Sequence, residues 1–380
     1  MKLEDWKQKA RAVGGRSAMS LEGLSEDDAA RRAISVLSEA GMLPLNVPEA
    51  FGGAPADGAC SAERVSVRLL CAVREELAWH SGMLDVMFVM QGLGSYPISL
   101  AGSDDLRERV LPDVARGARI MAFGLTEPDA GSSLGEVATR ATRDGDGWRL
   151  NGQKTFISNA GIAGGYCVLA RTSGEPGDGG RDSLTMFFVD GRAKGLSVNR
   201  FEVMAPHPIG EVHFSDVVVA DADRIGEEGG GLEVALATLS RFRTSVAAAA
   251  CGFSRRALDE SLGRLREREQ FGRPLSSFQG LRFDLAEMDV RLRAAQLLVD
   301  EAARLVDEEE ASTAAVARAK LYSTETASWI CDRAVQHFGG LGVRRGMMVE
   351  RLFRDVRALR IYEGTSEIQK LILAKELLGR

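Results

Sequence analysis

The sequence predicts a mainly helical α+β protein in three parts: an N-terminal helical domain over residues 1–119, a middle antiparallel β domain over 120–229, and a C-terminal four-helix bundle over 230–380. Three observations carry this. Apolar residues recur at helical spacing in the first part, and short alternating or β-branched runs between turn clusters fill the second. After Gly229-Gly230-Gly231, long stretches with few breakers return. A chain of 380 residues also exceeds what one ordinary core organises, so more than one packed region is required.

In the first part Leu69, Leu70, Val73 and Leu77 share a helical face, as do Met83, Met87 and Met90. Gly, Pro and Ser predict breaks at 46–59 and at 93–105, the latter containing Pro97. The β runs are GWRLNGQKTFIS, YCVLAR, SLTMFFVD and VHFSDVVVAD, separated by Asp144-Gly145-Asp146-Gly147 and by 173–180. Helices are predicted over 232–269, 277–308, 312–339 and 367–378. At the start of the last, Ser366 and Gln369 fit a capping box, and Ile368, Leu371 and Ile372 begin its apolar stripe.

Several function classes are disfavoured early. A net charge of −6 gives no global attraction to nucleic acid or anionic membrane. No apolar run reaches the ~18–20 residues needed to span a bilayer, and the first residues lack a secretory h-region, so a cytoplasmic protein is expected. The cysteines (Cys60, Cys71, Cys167, Cys251, Cys331) are scattered in apolar surroundings and read as buried thiols rather than disulfides. No metal-ligand spacing involves them or the four histidines. Neither FGGLGVRRG (338–346) nor GEEGGG (226–231) has the GxGxxG spacing after a strand, so a Rossmann site is not predicted.

Four segments hold the chemistry: GLTEPDAGSS (124–133), NGQKTFISNA (151–160) on an expected hairpin, REQFGRPLSSFQ (268–279), and IYEGTSEIQKLILAKELL (361–378). With VPEAFGG (47–53), QHFGGLG (336–342) and FRDVRALR (353–360), they closely resemble the acyl-CoA dehydrogenase family, in the family's order and across essentially the whole chain. The resemblance implies FAD held between β domain and bundle, with residues from two subunits of a homo-oligomer, most simply a tetramer. It implies an acyl-CoA substrate converted to the 2-enoyl thioester and an electron-transferring flavoprotein as acceptor.

On that resemblance Phe123, Leu125, Thr126, Gly131 and Ser132 line the flavin, Ser132 also facing the substrate, while Phe156 and Ser158 lie against the ring and near its N5. Many relatives carry Trp and Thr at these last two positions. Arg268, Phe271, Gln336, Gly339 and Gly340 reach a neighbour's FAD, and Thr365 and Glu367 complete the cofactor set. An Arg fork suits a pyrophosphate, and glycines allow close backbone approach. Glu363, in the YEGT context, is the catalytic base; the segment Leu239–Thr244, where some relatives place theirs, holds no acid. Arg243, Tyr362, Gly364 and Ser95 contact the substrate, with Phe88, Met90 and Tyr96 as further pocket candidates. Taken singly, these residues have plainer readings: a turn for 124–133, core for Phe156, a solvated charge for Arg268, a helix C-cap for Gly339-Gly340 and an exposed acid for Glu363.

The chain also departs from the family. Ser240 stands where relatives often have a CoA-binding Asp, and 204–219 is shorter than usual, which keeps a carrier-protein thioester open. Residues 82–92 contain no basic side chain, which disfavours a dicarboxylic substrate. An acyl-CoA oxidase of the same fold is the nearest alternative. A DNA-associated flavoprotein, suggested by Arg344, Arg345, Arg351, Arg354, Arg357 and Arg360, is weakened by Glu350 and Asp355 among them.

Overall fold

The computed structural model describes residues 2–55, 60–178, 180–310 and 312–379; the end of the expected 46–59 break and Gly179 in the 173–180 turn cluster lie outside them. The chain forms two compact units, one of Arg16–Ser66 and Val86–Phe242, the other of Lys2–Gly15, Val67–Asp85 and Arg243–Arg380. Its helices are α1 (Leu3–Ser17), α2 (Glu26–Glu39), α3 (Val67–His80), α4 (Gly82–Ala101), α5 (Asp104–Ala115), α6 (Gly231–Glu267), α7 (Gln279–Asp307), α8 (Thr313–Phe338), α9 (Met348–Arg357) and α10 (Ser366–Leu378).

In the first unit, β1 (Met121–Gly124), β2 (Arg140–Asp144), β3 (Gly147–Ser158), β4 (Gly165–Arg171), β5 (Leu184–Asp190), β6 (Leu196–Arg200), β7 (Ile209–Ala220) and β8 (Arg224–Ile225) form one sheet. The order is β6-β7-β3-β2-β4-β5-β8, with β1 on β4. Pairing is antiparallel as expected, except that β1 lies parallel to β4 and β2 touches β4 in parallel at Arg140↔Arg171. Parallel pairing needs a long connection, here supplied by the intervening β2–β3 hairpin, and alternation along a strand cannot reveal it. The hairpin closes through Gly145, which takes φ +58°. Trp148 and Phe187 meet edge to face at 5.2 Å in the buried cluster of this sheet.

The expected break at 93–105 narrows to Gly102-Ser103: α4 runs through Pro97 to Ala101, and α5 begins at Asp104. Proline costs a helix interior about 3 kcal/mol, but α4 is buried along most of its length, and its packing outweighs that cost. Gly94 shows how close the packing is, since a Cβ there would stand 2.9 Å from the Ala122 amide nitrogen in β1.

A buried ion pair fixes the loop after β1. Lys154 Nζ on β3 donates to Glu127 Oε1 at 2.7 Å and to the Leu125 carbonyl at 3.0 Å. The Glu127 carboxylate also accepts from the Ala138 and Thr139 amides at 2.7 and 3.0 Å. Burial pulls the Lys154 pKa down to about 8, against the attraction of Glu127. The Glu127 carboxyl lies below its ordinary range because Lys154 and these donors outweigh its desolvation.

The second unit is a helical bundle whose core is rich in small residues, including Ala247–Ala250 of α6 and Ala327 and Ala334 of α8. Gly252 lets α6 approach α3 so closely that a Cβ would stand 2.2 Å from the Glu75 carbonyl oxygen. The Asp307 carboxylate at the end of α7 accepts from the Val67 and Arg68 amides at 2.8 and 3.0 Å, capping α3 from a distance in sequence. Residues 268–279 do not simply link helices: β9 (Glu269–Gln270) and β10 (Arg273–Pro274) form a small hairpin. Helix α9 was not among the predicted helices, although Val349, Leu352 and Val356 give it a buried stripe. All five cysteines are buried, and among the described residues none forms a disulfide.

Lys154→Met is expected to lower the unfolding free energy by about 3–5 kcal/mol, because Glu127 stays buried without its counter-charge. Adding Glu127→Gln should recover part of the loss. Urea unfolding followed by circular dichroism measures both; an unchanged midpoint for the single variant would show that the pair does not hold the loop.

Candidate active site

In the second unit the site grows from the turn between α9 and α10. After α9, a short 3-10 turn over Ala358–Arg360 is followed by two successive left-handed residues, Glu363 at φ +53° and Gly364 at φ +91°. Glycine takes this conformation without strain; a glutamate does so only when its surroundings hold it. Two cations supply that restraint. Arg243 Nε on α6 donates to the Glu363 carbonyl at 2.7 Å, and Lys320 Nζ on α8 to the Gly364 carbonyl at 2.6 Å. Gln369 Nε2 adds a bond to the same Gly364 oxygen at 2.9 Å. A Cβ at residue 364 would stand 2.7 Å from that nitrogen, so position 364 requires glycine twice over.

The cap lies one residue earlier than predicted. Thr365, not Ser366, caps α10 by accepting from the Ile368 amide at 3.3 Å, while Ser366 Oγ donates to Glu325 at 2.6 Å. Both residues are capping types, and a sequence pattern locates such a boundary only to within about one or two residues.

Burial pushes the Glu363 carboxyl pKa up, while Arg74, Arg243 and Lys320 pull the other way. Its Oε2 is buried and finds no hydrogen-bond partner among the described residues. Burial brings Lys320, which is fully enclosed, down to about 8, and it lowers Arg243 as well. Arg74 donates to both Asp85 oxygens at 2.8 Å and to Ser245 at 2.9 Å, so most of its charge is answered by Asp85. The result is a carboxylate with one open oxygen and a raised proton affinity, which is what a general base requires. Tyr362, beside it, is 41% exposed.

Other predicted residues of this unit lie at its surface. Phe271 and Gly272 form the turn of the β9–β10 hairpin, both left-handed at φ +55° and +74°, and Phe271 is 91% exposed. Arg268, Gln336, Gly339, Gly340 and Glu367 are exposed too, with Gly339 at φ +60°.

In the first unit, Phe123 and Leu125 are buried, Thr126 is half-buried, and Gly131 and Ser132 are exposed. The Thr126 carbonyl accepts from the Thr155 amide at 2.9 Å, tying the loop to β3. Phe156 occupies a β-bulge, since β3 takes one more residue than β7 between the Lys154↔Val212 and Ile157↔Gly210 pairs. It sits at φ +55°, 62% exposed, edge to face with Phe201 at 5.2 Å. Bulges re-aim side chains in this way beside functional sites. Ser158 Oγ lies 3.1 Å from His207 Nε2. Ser95 is fully buried, its hydroxyl donating to the Gln91 carbonyl at 2.6 Å, and Phe88, Met90 and Tyr96 are buried as well. These three are therefore packed within the unit.

Sequence reading passed over Arg74, Lys320, Glu127, Lys154 and His207. Lys320 left a usable signal, a single cation on the otherwise buried face of α8 that holds Val316, Ala319, Ser323 and Ala327.

Comparison with known proteins agrees with this architecture. The N-terminal, middle and C-terminal domain models of acyl-CoA dehydrogenases match residues 11–118, 122–217 and 229–378. Cyclohexane-1-carbonyl-CoA dehydrogenase of Geobacter metallireducens is 35% identical over 99% of this chain and 96% of its own. The 3-(aryl)acrylate reductase of Clostridium sporogenes is 37% identical over 91% of this chain and 89% of its own. Among solved structures, butyryl-CoA dehydrogenase from Megasphaera elsdenii superposes with a TM-score of 0.91 at 31% identity, covering 99% of this chain and 98% of that one. The chain is an oxidoreductase and belongs to the acyl-CoA dehydrogenase family.

Proposed function

We propose that this chain α,β-dehydrogenates an acyl-CoA thioester, with Glu363 taking the α-proton. The observation that carries the reading is the Glu363 carboxylate, buried in a pinned left-handed turn with Oε2 unpartnered among the described residues. A buried acceptor without a partner costs roughly 1–3 kcal/mol, and a substrate α-C–H drawn against it gives it a task. FAD, when bound, would supply the two-electron acceptor for the β-hydride. The residues fit such a group: exposed Phe156 offers a ring face, Thr126, Ser132 and Ser158 offer hydroxyls, and Gly131 has nothing within 4 Å of a notional Cβ. In a homo-oligomer, most simply a tetramer, Arg268, Phe271, Gln336, Gly339 and Gly340 serve a neighbour's cofactor, which accounts for Phe271 standing 91% exposed. Thr365 and Glu367 complete that set, while Arg243, Tyr362 and Gly364 flank the thioester. An electron-transferring flavoprotein is the proposed acceptor.

A second reading, reduction of an α,β-unsaturated acyl group at the same site, is favoured by the relative named as a reductase. Rates of dye-coupled oxidation and of reductant-driven enoyl reduction, measured on one preparation, decide between them.

Glu363→Gln should keep the fold and the yellow flavin yet lose turnover by on the order of 10²–10⁴ or more. Stopped-flow bleaching by acyl-CoA under anaerobic conditions reads this, and near-normal reduction would move the base elsewhere. Lys320→Met removes a cation that favours ionised Glu363, so the carboxyl pKa rises further and the acid limb of the reduction pH profile moves to higher pH. An unmoved limb would show that Lys320 has no electrostatic part in the site. Arg268→Ala should weaken FAD binding by roughly tenfold to a hundredfold, through loss of a charge-assisted contact, and Lys should restore only part. FAD occupancy measured against protein concentration tests this; equally tight binding by monomer and oligomer would contradict the shared site.

A further inference from the structure

We propose that His207 sets the direction of the Ser158 hydroxyl, making Ser158 a hydrogen-bond acceptor toward the flavin, so that the site favours the reduced cofactor. The inference rests on the reading that places Ser158 beside flavin N5.

The geometry leaves the imidazole little choice. His207 Nδ1 lies 2.8 Å from the Ala205 carbonyl oxygen, which can only accept, so Nδ1 carries the proton. In the neutral ring Nε2 is then an acceptor, and the Ser158 hydroxyl at 3.1 Å donates to it. Burial lowers the His207 pKa below its ordinary value, with Arg200 adding to the effect and the Ala205 carbonyl opposing it, so the neutral ring prevails at neutral pH.

The backbone holds this arrangement. His207 stands between Pro206 and Pro208, so both neighbouring φ angles are fixed and its own ψ is restricted. The Asn159 amide donates to the Pro208 carbonyl at 2.7 Å, and Ser158 pairs with Ile209 in the β3–β7 ladder. The Pro-His-Pro segment is thus anchored to Ser158 itself and to the residue after it.

A serine hydroxyl has one proton and two lone pairs. With the proton given to His207, Ser158 can accept from a facing N–H but has nothing to donate to a facing lone pair. Oxidised flavin presents a lone pair at N5, and reduced flavin presents N5–H. Ser158 therefore matches the reduced form, and by linkage that preference raises the midpoint potential. His207 acts through Ser158 and is a positioning residue.

The test uses ¹⁵N-histidine NMR of the protein with and without FAD, together with Kd values for oxidised and reduced FAD. Wild type should show His207 protonated at Nδ1 only, with the Nε2 signal shifted by Ser158→Ala. His207→Leu and Ser158→Ala should each reduce the preference for reduced FAD, roughly five- to tenfold for one lost hydrogen bond. The double variant should lose no more than either single one, and His207→Gln, which keeps a donor and an acceptor, should stay near wild type. Protonation at Nε2, or a full effect of Ser158→Ala with none from His207→Leu, would overturn the inference. If Ser158→Ala changes neither Kd while the NMR still shows the His207–Ser158 bond, Ser158 does not face the flavin, and the inference falls with that placement.

Discussion

Two main-chain carbonyls, one held by the buried Lys320 and one by the half-buried Arg243, underlie the candidate base. Arg243 and Lys320 each give a hydrogen bond to the turn carrying Glu363, at 2.7 and 2.6 Å. These bonds keep a glutamate in a left-handed conformation that costs about 1–3 kcal/mol. The same charges oppose the burial that raises the proton affinity of the carboxyl. The packing around them serves this end: Lys320 sits on a helix whose neighbouring buried positions are small, and Arg74, the third nearby cation, is matched by Asp85.

Strain of this kind recurs at the residues singled out for function. Among the described residues, six other than glycine have positive φ: Phe156, Asn159, Asp216, Phe271, Glu309 and Glu363. Asn and Asp tolerate that region well; Phe and Glu do not. Of the four less tolerant residues, three are candidate site residues, and each is placed by a different device. A β-bulge turns out Phe156, a two-residue hairpin presents Phe271, and a cation-pinned turn buries Glu363. Local backbone strain thus carries the candidate site more visibly than any pocket shape does.

The fold class was legible because periodicity changes twice along the chain, and periodicity is what burial on one face imposes. The family was legible because its motifs are short, ordered and spread over both units. What remained hidden depends on long-range pairing. No local pattern shows that β1 lies parallel to β4, that Asp307 caps α3, or that Lys154 meets Glu127. Pro97 misled because a local propensity was weighed without the burial that overrides it. The cap of α10 was off by one because Thr365 and Ser366 are chemically equivalent candidates.

Glu363 carries a carboxyl of raised proton affinity whose buried Oε2 has no hydrogen-bond partner among the described residues. An infrared pH titration of the carboxyl stretch, with the Glu363 band assigned by its loss in Glu363→Gln, measures this directly. The expected midpoint lies above that of an ordinary glutamate, and the band is expected to shift when an acyl-CoA analogue is bound. A midpoint at or below the ordinary value, with no response to the analogue, would contradict it.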